Sequence, residues 1–283
     1  MSNIYFKQQT QFGNKWHLFY DLQYRHIKYC IDGFRENPAL QVNNSSSFFN
    51  PKAGISYTHN GWKSYLSYSI ANKEPNRDDF EAGNDEQPKP ERLHDIEMGI
   101  EITKNKHNWS ATLYYMNYKD QLVLTGKIND VGAYTRSNIE KSYRAGIELQ
   151  GGYKFYQWMN VVANFTLSRN KVKNFVEYYD DYDNGGQKRN AFTESDIAFS
   201  PDITGSLILN LKPEKNTEVS FTSKNVNRQY LDNTGNKSRS LAPYYTQDLR
   251  ASYKLSYKSL KEINIILQVN NLFNHKYDPN GYT

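Results

Sequence analysis

A single cysteine, Cys30, stands in 283 residues, so the chain has no intrachain disulfide and no thiolate framework for a structural metal. It also lacks any run of about 18 apolar residues. That excludes a membrane-crossing helix but not a β-barrel, whose strands carry only a weak alternating signal. The net charge is +5, and no segment has the basic density of a nucleic-acid arm, so no nucleic-acid partner is expected. Residues 1–10 have no apolar h-region, so they are not a signal peptide. An exported barrel needs one, and Met1 is therefore read as an internal start. There is no G-x-S-x-G, no H-E-x-x-H and no P-loop. Gly146, Gly151 and Gly152 fall in strand and turn patterns and make no dinucleotide fingerprint. His17, His26, His59, His94, His107 and His275 are scattered, as solvated histidines would be. Neither an enzyme nor a bound cofactor is expected.

What the chain has in abundance is aromatic side chains. They make up 15% of it, with 24 Tyr, in a sequence that is only 37% hydrophobic. That mixture suits an all-β protein with one wet face, and aromatic girdles at a membrane interface. The hydrophobic period is two almost throughout. Ile96, Met98, Ile100 and Ile102 alternate with Glu97, Gly99 and Glu101. Tyr143, Ala145, Ile147 and Leu149 alternate with Arg144, Gly146 and Glu148. Leu249, Ala251, Tyr253 and Leu255 stand opposite Asp248, Arg250, Ser252 and Lys254. Successive strand side chains point to opposite faces, so each such run has one apolar and one polar face.

About twelve antiparallel strands are predicted on this pattern. They fall near 2–12, 16–31, 48–58, 62–72, 92–103, 108–119, 139–151, 158–169, 203–212, 217–227, 244–255 and 262–272. Most reach the length that a tilted strand needs to cross a bilayer. Their connections alternate. Short turns are expected at 13–15, 59–61, 104–107, 152–157, 213–216 and 256–261, and long polar loops near 32–47, 73–91, 120–138, 170–202 and 228–243. Outer-membrane barrels show this asymmetry, with short periplasmic turns and long extracellular loops. Trp16, Trp62, Trp109 and Trp158 each start a strand after a short turn, where a periplasmic-side girdle would sit.

The charged faces cannot line a dry core unpaired. They fit a wet lumen with the apolar face toward lipid, or bulk solvent around a sandwich whose apolar faces pack together. Alternation alone does not choose between these. A soluble secreted β protein that binds glycan or protein through long loops therefore stays open, as does a plugless porin-like barrel.

The loops carry the remaining functional signal. Segment 224–243 holds Lys224, Arg228, Lys237 and Arg239 against Asp232, so Arg228, Lys237 and Arg239 are candidate contacts for an anionic ligand. Tyr178–Gly186 clusters Asp180, Asp181 and Asp183 with glycine, oxygen ligands of a type that suits Ca²⁺, although the spacing is not that of an EF-hand. Both segments also read as ordinary solvated surface.

Several segments resemble TonB-dependent outer-membrane receptors. Asn270-Asn271-Leu272-Phe273-Asn274-His275-Lys276-Tyr277 is similar to the run that leaves their penultimate barrel strand. Phe49–Tyr57 is similar to their "NPK-x-G-x-x-Y" strand, and Lys73–Phe80 to their "REP-x-R-x-D-(Y/F)" loop. Lys89–Gly99 and Tyr143–Glu148 resemble the next "E-x-G" and "G-x-E" strands, and Ser200-Pro201 a loop-to-strand junction. Order and spacing agree over residues 48–283. The resemblance implies that 1–283 is the C-terminal portion of a barrel of about 22 strands, with the plug domain and final strand absent. It further implies import of a scarce chelate (ferric siderophore, haem or cobalamin class), nearer that type than the glycan-importing one. Its expected setting is the bacterial outer membrane. Expected partners are outer-membrane lipid, the chelate, and the TonB energy complex through the missing plug region. The matched loop implies rim positions for Glu74, Arg77 and Asp79.

Overall fold

The computed structural model describes residues 1–35, 38–82, 87–128, 134–257 and 260–281. Fifteen strands follow one another among these residues: β1 (Ser2–Phe12), β2 (Trp16–Asp32), β3 (Gln41–His59), β4 (Trp62–Lys73), β5 (Glu91–Thr103), β6 (His107–Ile128), β7 (Tyr134–Tyr156), β8 (Met159–Asp180), β9 (Gln187–Asp196), β10 (Ile203–Glu214), β11 (Thr217–Val226), β12 (Gln229–Tyr230), β13 (Ser240–Leu241), β14 (Tyr244–Tyr257) and β15 (Leu260–Val269). One 3-10 turn, Arg77–Ala82, lies between β4 and β5. Thirteen strands form one antiparallel sheet in the order β1-β2-β3-β4-β5-β6-β7-β8-β10-β11-β14-β15, with β9 added to β8. Along this path the strands follow one another in chain order, with only β9, β12 and β13 standing aside, the topology of an up-and-down barrel wall. Among the described residues no pairing joins β1 to β15.

The twelve predicted strands are the twelve of this path, and three of the predicted long loops need correction. In the loop expected at 32–47, residues 41–47 belong to β3 and pair with the end of β2, from Asp32–Gln41 to His26–Ser47. Residues 120–138 are largely the paired tops of β6 and β7, joined from Gln121–Ile139 up to Ile128–Tyr134. Residues 170–196 are largely a β8–β9 hairpin, paired from Lys171–Asp196 to Asp180–Gln187. β8 is thereby shared, its lower half pairing with β10 and its upper half with β9. The period-two burial pattern fails along these extensions, where Asp120 and Asn174 take positive φ (56° and 53°) while the strand pairing keeps its register through both.

The two faces of the sheet differ as the alternation requires. On one face large apolar side chains lie exposed in register across strands. Leu66 pairs with Met98, and Met98 with Leu113. Tyr253 pairs with Ile265, and Ala251 with Leu267. Met98 is 52% exposed and Leu267 63%. In a sandwich this face would be covered by a second large sheet, but among the described residues the other sheet is only the two-residue pair β12–β13, and the band is bare. All four tryptophans sit at the short-turn end and are exposed. Tyr57 beside Trp16 (4.8 Å) and Tyr156 stacked on Trp158 (5.4 Å) extend the same aromatic belt.

Burial is concentrated at the opposite end. Val123, Ile139, Val172, Phe175 and Ile197 form a small core with Phe192 packed on it. Phe34, Leu40, Val42 and Phe80 form another. Apolar residues of the extended strands pack on one another here, whereas those of the band below stay bare.

Candidate functional site

The polar face is lined by spaced charges and by aromatics lying on glycine. Lys63 faces Glu101 across β4–β5 (3.4 Å). Tyr65 covers Gly99, and its hydroxyl lies 3.1 Å from Thr112 Oγ1. Tyr114 covers Gly146, where a Cβ would stand 2.6 Å from both the Leu167 carbonyl oxygen and the Tyr114 hydroxyl. These close approaches explain why glycine sits beside glutamate in the "E-x-G" and "G-x-E" segments. A polar recess of about 350 Å³ follows, lined by Glu97, Tyr114, Glu148 and Arg144 among others. Arg144 donates to Ser200 Oγ at 2.9 Å, tying the β9–β10 junction to the wall.

A larger cavity, about 610 Å³, opens where the β4–β5 connection meets β2. Arg25, Tyr29, Lys73, Glu74, Asn76 and Arg77 are among its lining residues. The elements that hold them are fixed from beneath. Asp79, 2% exposed, accepts from Arg136 Nε (2.6 Å) and Nη2 (2.8 Å) and from the Asn76 backbone N–H (2.7 Å). Phe80 enters the small core beside Tyr29, edge to face at 5.9 Å. Arg25 and Glu74 form a half-buried ion pair. The Arg77 guanidinium lies 5.0 Å over the Phe34 ring. Lys73 is 3.7 Å from Glu91 and mostly exposed.

The sequence-derived site residues therefore separate. Glu74 and Arg77 share the cavity. Asp79 belongs to the same loop but is turned inward as its anchor, which leaves its carboxylate no free face for a ligand. Arg228, Lys237 and Arg239 lie on the β11–β14 connection and do not line the cavity. Arg228 donates to Ser240 Oγ at 2.7 Å, and Lys237 is exposed. Arg239 pairs with Glu177 (2.5 Å) and Asp232 (2.8 Å), and the Glu177 carboxylate raises its already high pKa further. It is a bound cation, not the free one expected of a basic loop.

The three aspartates of the Ca²⁺ reading sit at the β8–β9 tip. Asp181 pairs with Lys188 (2.8 Å) and accepts from Asn184 Nδ2 (3.0 Å), and these contacts hold its carboxyl below the usual aspartate range. Asp180 accepts from Gln187 (3.0 Å), and Asp183 is exposed. Among the described residues no group of three or more His, Cys, Asp or Glu side chains is arranged to hold a metal ion.

Sequence reasoning missed Arg25, Arg136, Glu177 and Asn233. Asn233 is buried, takes the Ala198 N–H (2.9 Å) and gives to the Leu124 carbonyl (3.2 Å). Their partners lie 35 to 109 residues away, so no local pattern announces them. A lone arginine among the alternating residues of β2 is the one signal that pointed to Arg25.

The family described as TonB dependent receptor-like, beta-barrel, matches residues 2–272. The chain belongs to that family. Its members are outer-membrane receptors and not enzymes. The structure is similar to the siderophore receptor PiuA from Acinetobacter baumannii at 18% identity and a TM-score of 0.78, covering 99% of this chain and 40% of that one. It is also similar to the copper transporter OprC (12% identity, TM-score 0.76, 98% of this chain and 41% of that one). The ferric yersiniabactin uptake receptor FyuA from Yersinia pestis gives 18% identity and a TM-score of 0.72, over 99% and 42%. The chain thus spans about two fifths of the length of these TonB-dependent receptors. No curated protein matches in sequence. The segments whose likeness to the receptors was noted from sequence lie in β3, the β4–β5 connection, β5, β7 and the exit of β15.

Proposed function

We propose that the chain forms part of the wall and extracellular rim of an outer-membrane active transporter that imports a metal chelate of the ferric-siderophore class. The family match along a wall with a bare apolar band carries this reading. Structural likeness to the siderophore receptor PiuA and to FyuA supports the ligand class, at identities that speak to the fold alone. The chelate meets the rim at the long-connection end. The plug region and the TonB complex that energises it act through parts of the receptor outside these residues.

The test is uptake of radiolabelled ferric chelates by iron-starved cells whose only receptor for them is the full protein, with and without a working TonB complex. Accumulation that depends on both supports the reading. TonB-independent passive flux would favour the porin-like alternative, and uptake of no chelate would reject import.

A further inference from the structure

We propose that a row of basic side chains across β5–β8, on the face of the apolar band, binds the phosphates of an outer-leaflet lipid whose acyl chains lie on that band. The inference rests on reading the sheet as a membrane wall and goes beyond chelate import. Strand register places four cations side by side. Arg92 pairs with Lys119, Lys119 with Lys141, and Lys141 with Lys173. All four side chains are exposed. Neighbouring strands lie about 4.8 Å apart, so the row runs for about 15 Å. Like charges directly opposite one another destabilise a sheet, and three such pairs stand here in succession. Acids offset only part of this. Glu140 lies 3.5 Å from Lys141, while the flanking Arg169 and Lys171 take Glu194 (2.7 Å) and Asp196 (2.5 Å). Six cations against these three acids leave an excess of three positive charges. Among the described residues these ion pairs leave out Arg92, Lys119 and Lys173. Arg92 donates to the neutral Asn72 amide oxygen (3.1 Å), and Lys173 lies 5.8 Å over the Tyr143 ring.

The place of the row on the wall points to a lipid. Along β5, β6 and β7 the same face runs from the row through His94, Asn117 and Tyr143 to Ile96, Tyr115 and Ala145, then to Met98, Leu113 and Ile147. The row therefore borders the bare band at the long-connection end. An aromatic layer lies between, with Tyr115 and Tyr143 stacked at 6.1 Å and the Tyr68 hydroxyl 2.7 Å from His94 Nδ1. On β6 Lys119 follows Trp109 by ten residues. Ten residues make about 34 Å of strand, and at a tilt of about 40° that rises about 26 Å, close to the apolar height of a membrane barrel. The row thus stands at the level of the headgroups of one leaflet, opposite the tryptophan belt. It is too long for a single phosphate, so a headgroup with two phosphates suits it. Charge-assisted hydrogen bonds from lysine and arginine to phosphate offset the repulsion along the row. A soluble phosphate leaves the apolar side chains below unmet, whereas the acyl chains of a lipid cover them.

The test is binding to the full receptor in nonionic detergent, read by native mass spectrometry. The probes are diphosphorylated lipid A, its dephosphorylated form and inorganic pyrophosphate. Diphosphorylated lipid A is expected to bind about ten-fold more tightly than either of the others, and less tightly as salt rises. The triple variant Lys119→Gln, Lys141→Gln, Lys173→Gln is expected to lose about ten-fold in that affinity. Lys106→Gln, which removes an exposed charge from the β5–β6 turn at the opposite end, should stay within about two-fold. Without lipid the triple variant should unfold at the same urea concentration as the parent or a higher one, because repulsion between strands is relieved. Unchanged lipid affinity in the triple variant overturns the site, and a lower lipid-free midpoint overturns the argument from repulsion. Pyrophosphate binding as tightly as the lipid overturns the lipid as occupant. Equal binding of the dephosphorylated form overturns recognition of phosphate. Insertion of the receptor into neutral phosphatidylcholine vesicles needs no phosphate headgroup row, so failure there would sink the membrane wall itself, and this site with it.

Discussion

Asp79 shows how a side chain read as a rim contact can be a structural anchor. Its carboxylate is buried and takes two hydrogen bonds from Arg136 and one from the Asn76 N–H. Asp79→Ala should loosen the 3-10 turn by about 1–3 kcal/mol, since it leaves buried donors unmet. Limited proteolysis near residues 77–82 should then be faster than in the parent, and unchanged cleavage would contradict the anchoring role. Gly146 makes a second residue-scale claim. A methyl group there meets the Leu167 carbonyl oxygen, which is backbone and cannot swing aside. Gly146→Ala should cost about 1–3 kcal/mol, read as a lower urea midpoint of the refolded barrel. The glycine was legible as part of a motif, but its reason was not, because Tyr114 covers it from a neighbouring strand.

At the scale of elements, the lower halves of the strands were readable and the upper halves were not. β1 and β4 end within a residue of the alternation that predicted them. β6 and β8 outrun it, because their upper residues are buried in a local core and no longer follow a strict alternation of faces. What joins these upper elements is long-range and polar, with Asn233 tying the β11–β14 connection to β6 and to the segment after β9. Asn233→Ala should raise amide exchange around Leu124 and Ala198 together, and exchange rising at only one of them would show that the bridge is not shared. The β8–β9 tip carries a pH dependence. Lys188, then Asn184, depress the Asp181 pKa, so the stabilisation is present above the unfolded-state value and is lost as pH falls through the lower folded value. Amide protection at the tip, taken relative to the intrinsic exchange rate at each pH, should fall on acidification below the ordinary aspartate range, and Asp181→Asn should abolish that dependence.

For the whole molecule, one sheet has a bare apolar face bounded at one end by tryptophan and at the other by packed, polar loops. Water would not tolerate so large an exposed band, while a bilayer requires one. The fold class was legible because the apolar and polar faces of a strand must alternate. The candidate site was only half legible, because the cavity is assembled from β2 and a loop some fifty residues downstream. The most direct test places a probe on each face of one strand. Met98→Cys and Glu97→Cys, each with Cys30→Ser, would carry a fluorophore in the full receptor in lipid vesicles. Lipid-borne quenchers should quench the label at 98 and aqueous quenchers the label at 97. Equal access of the aqueous quencher to both positions would contradict a wall that spans the membrane.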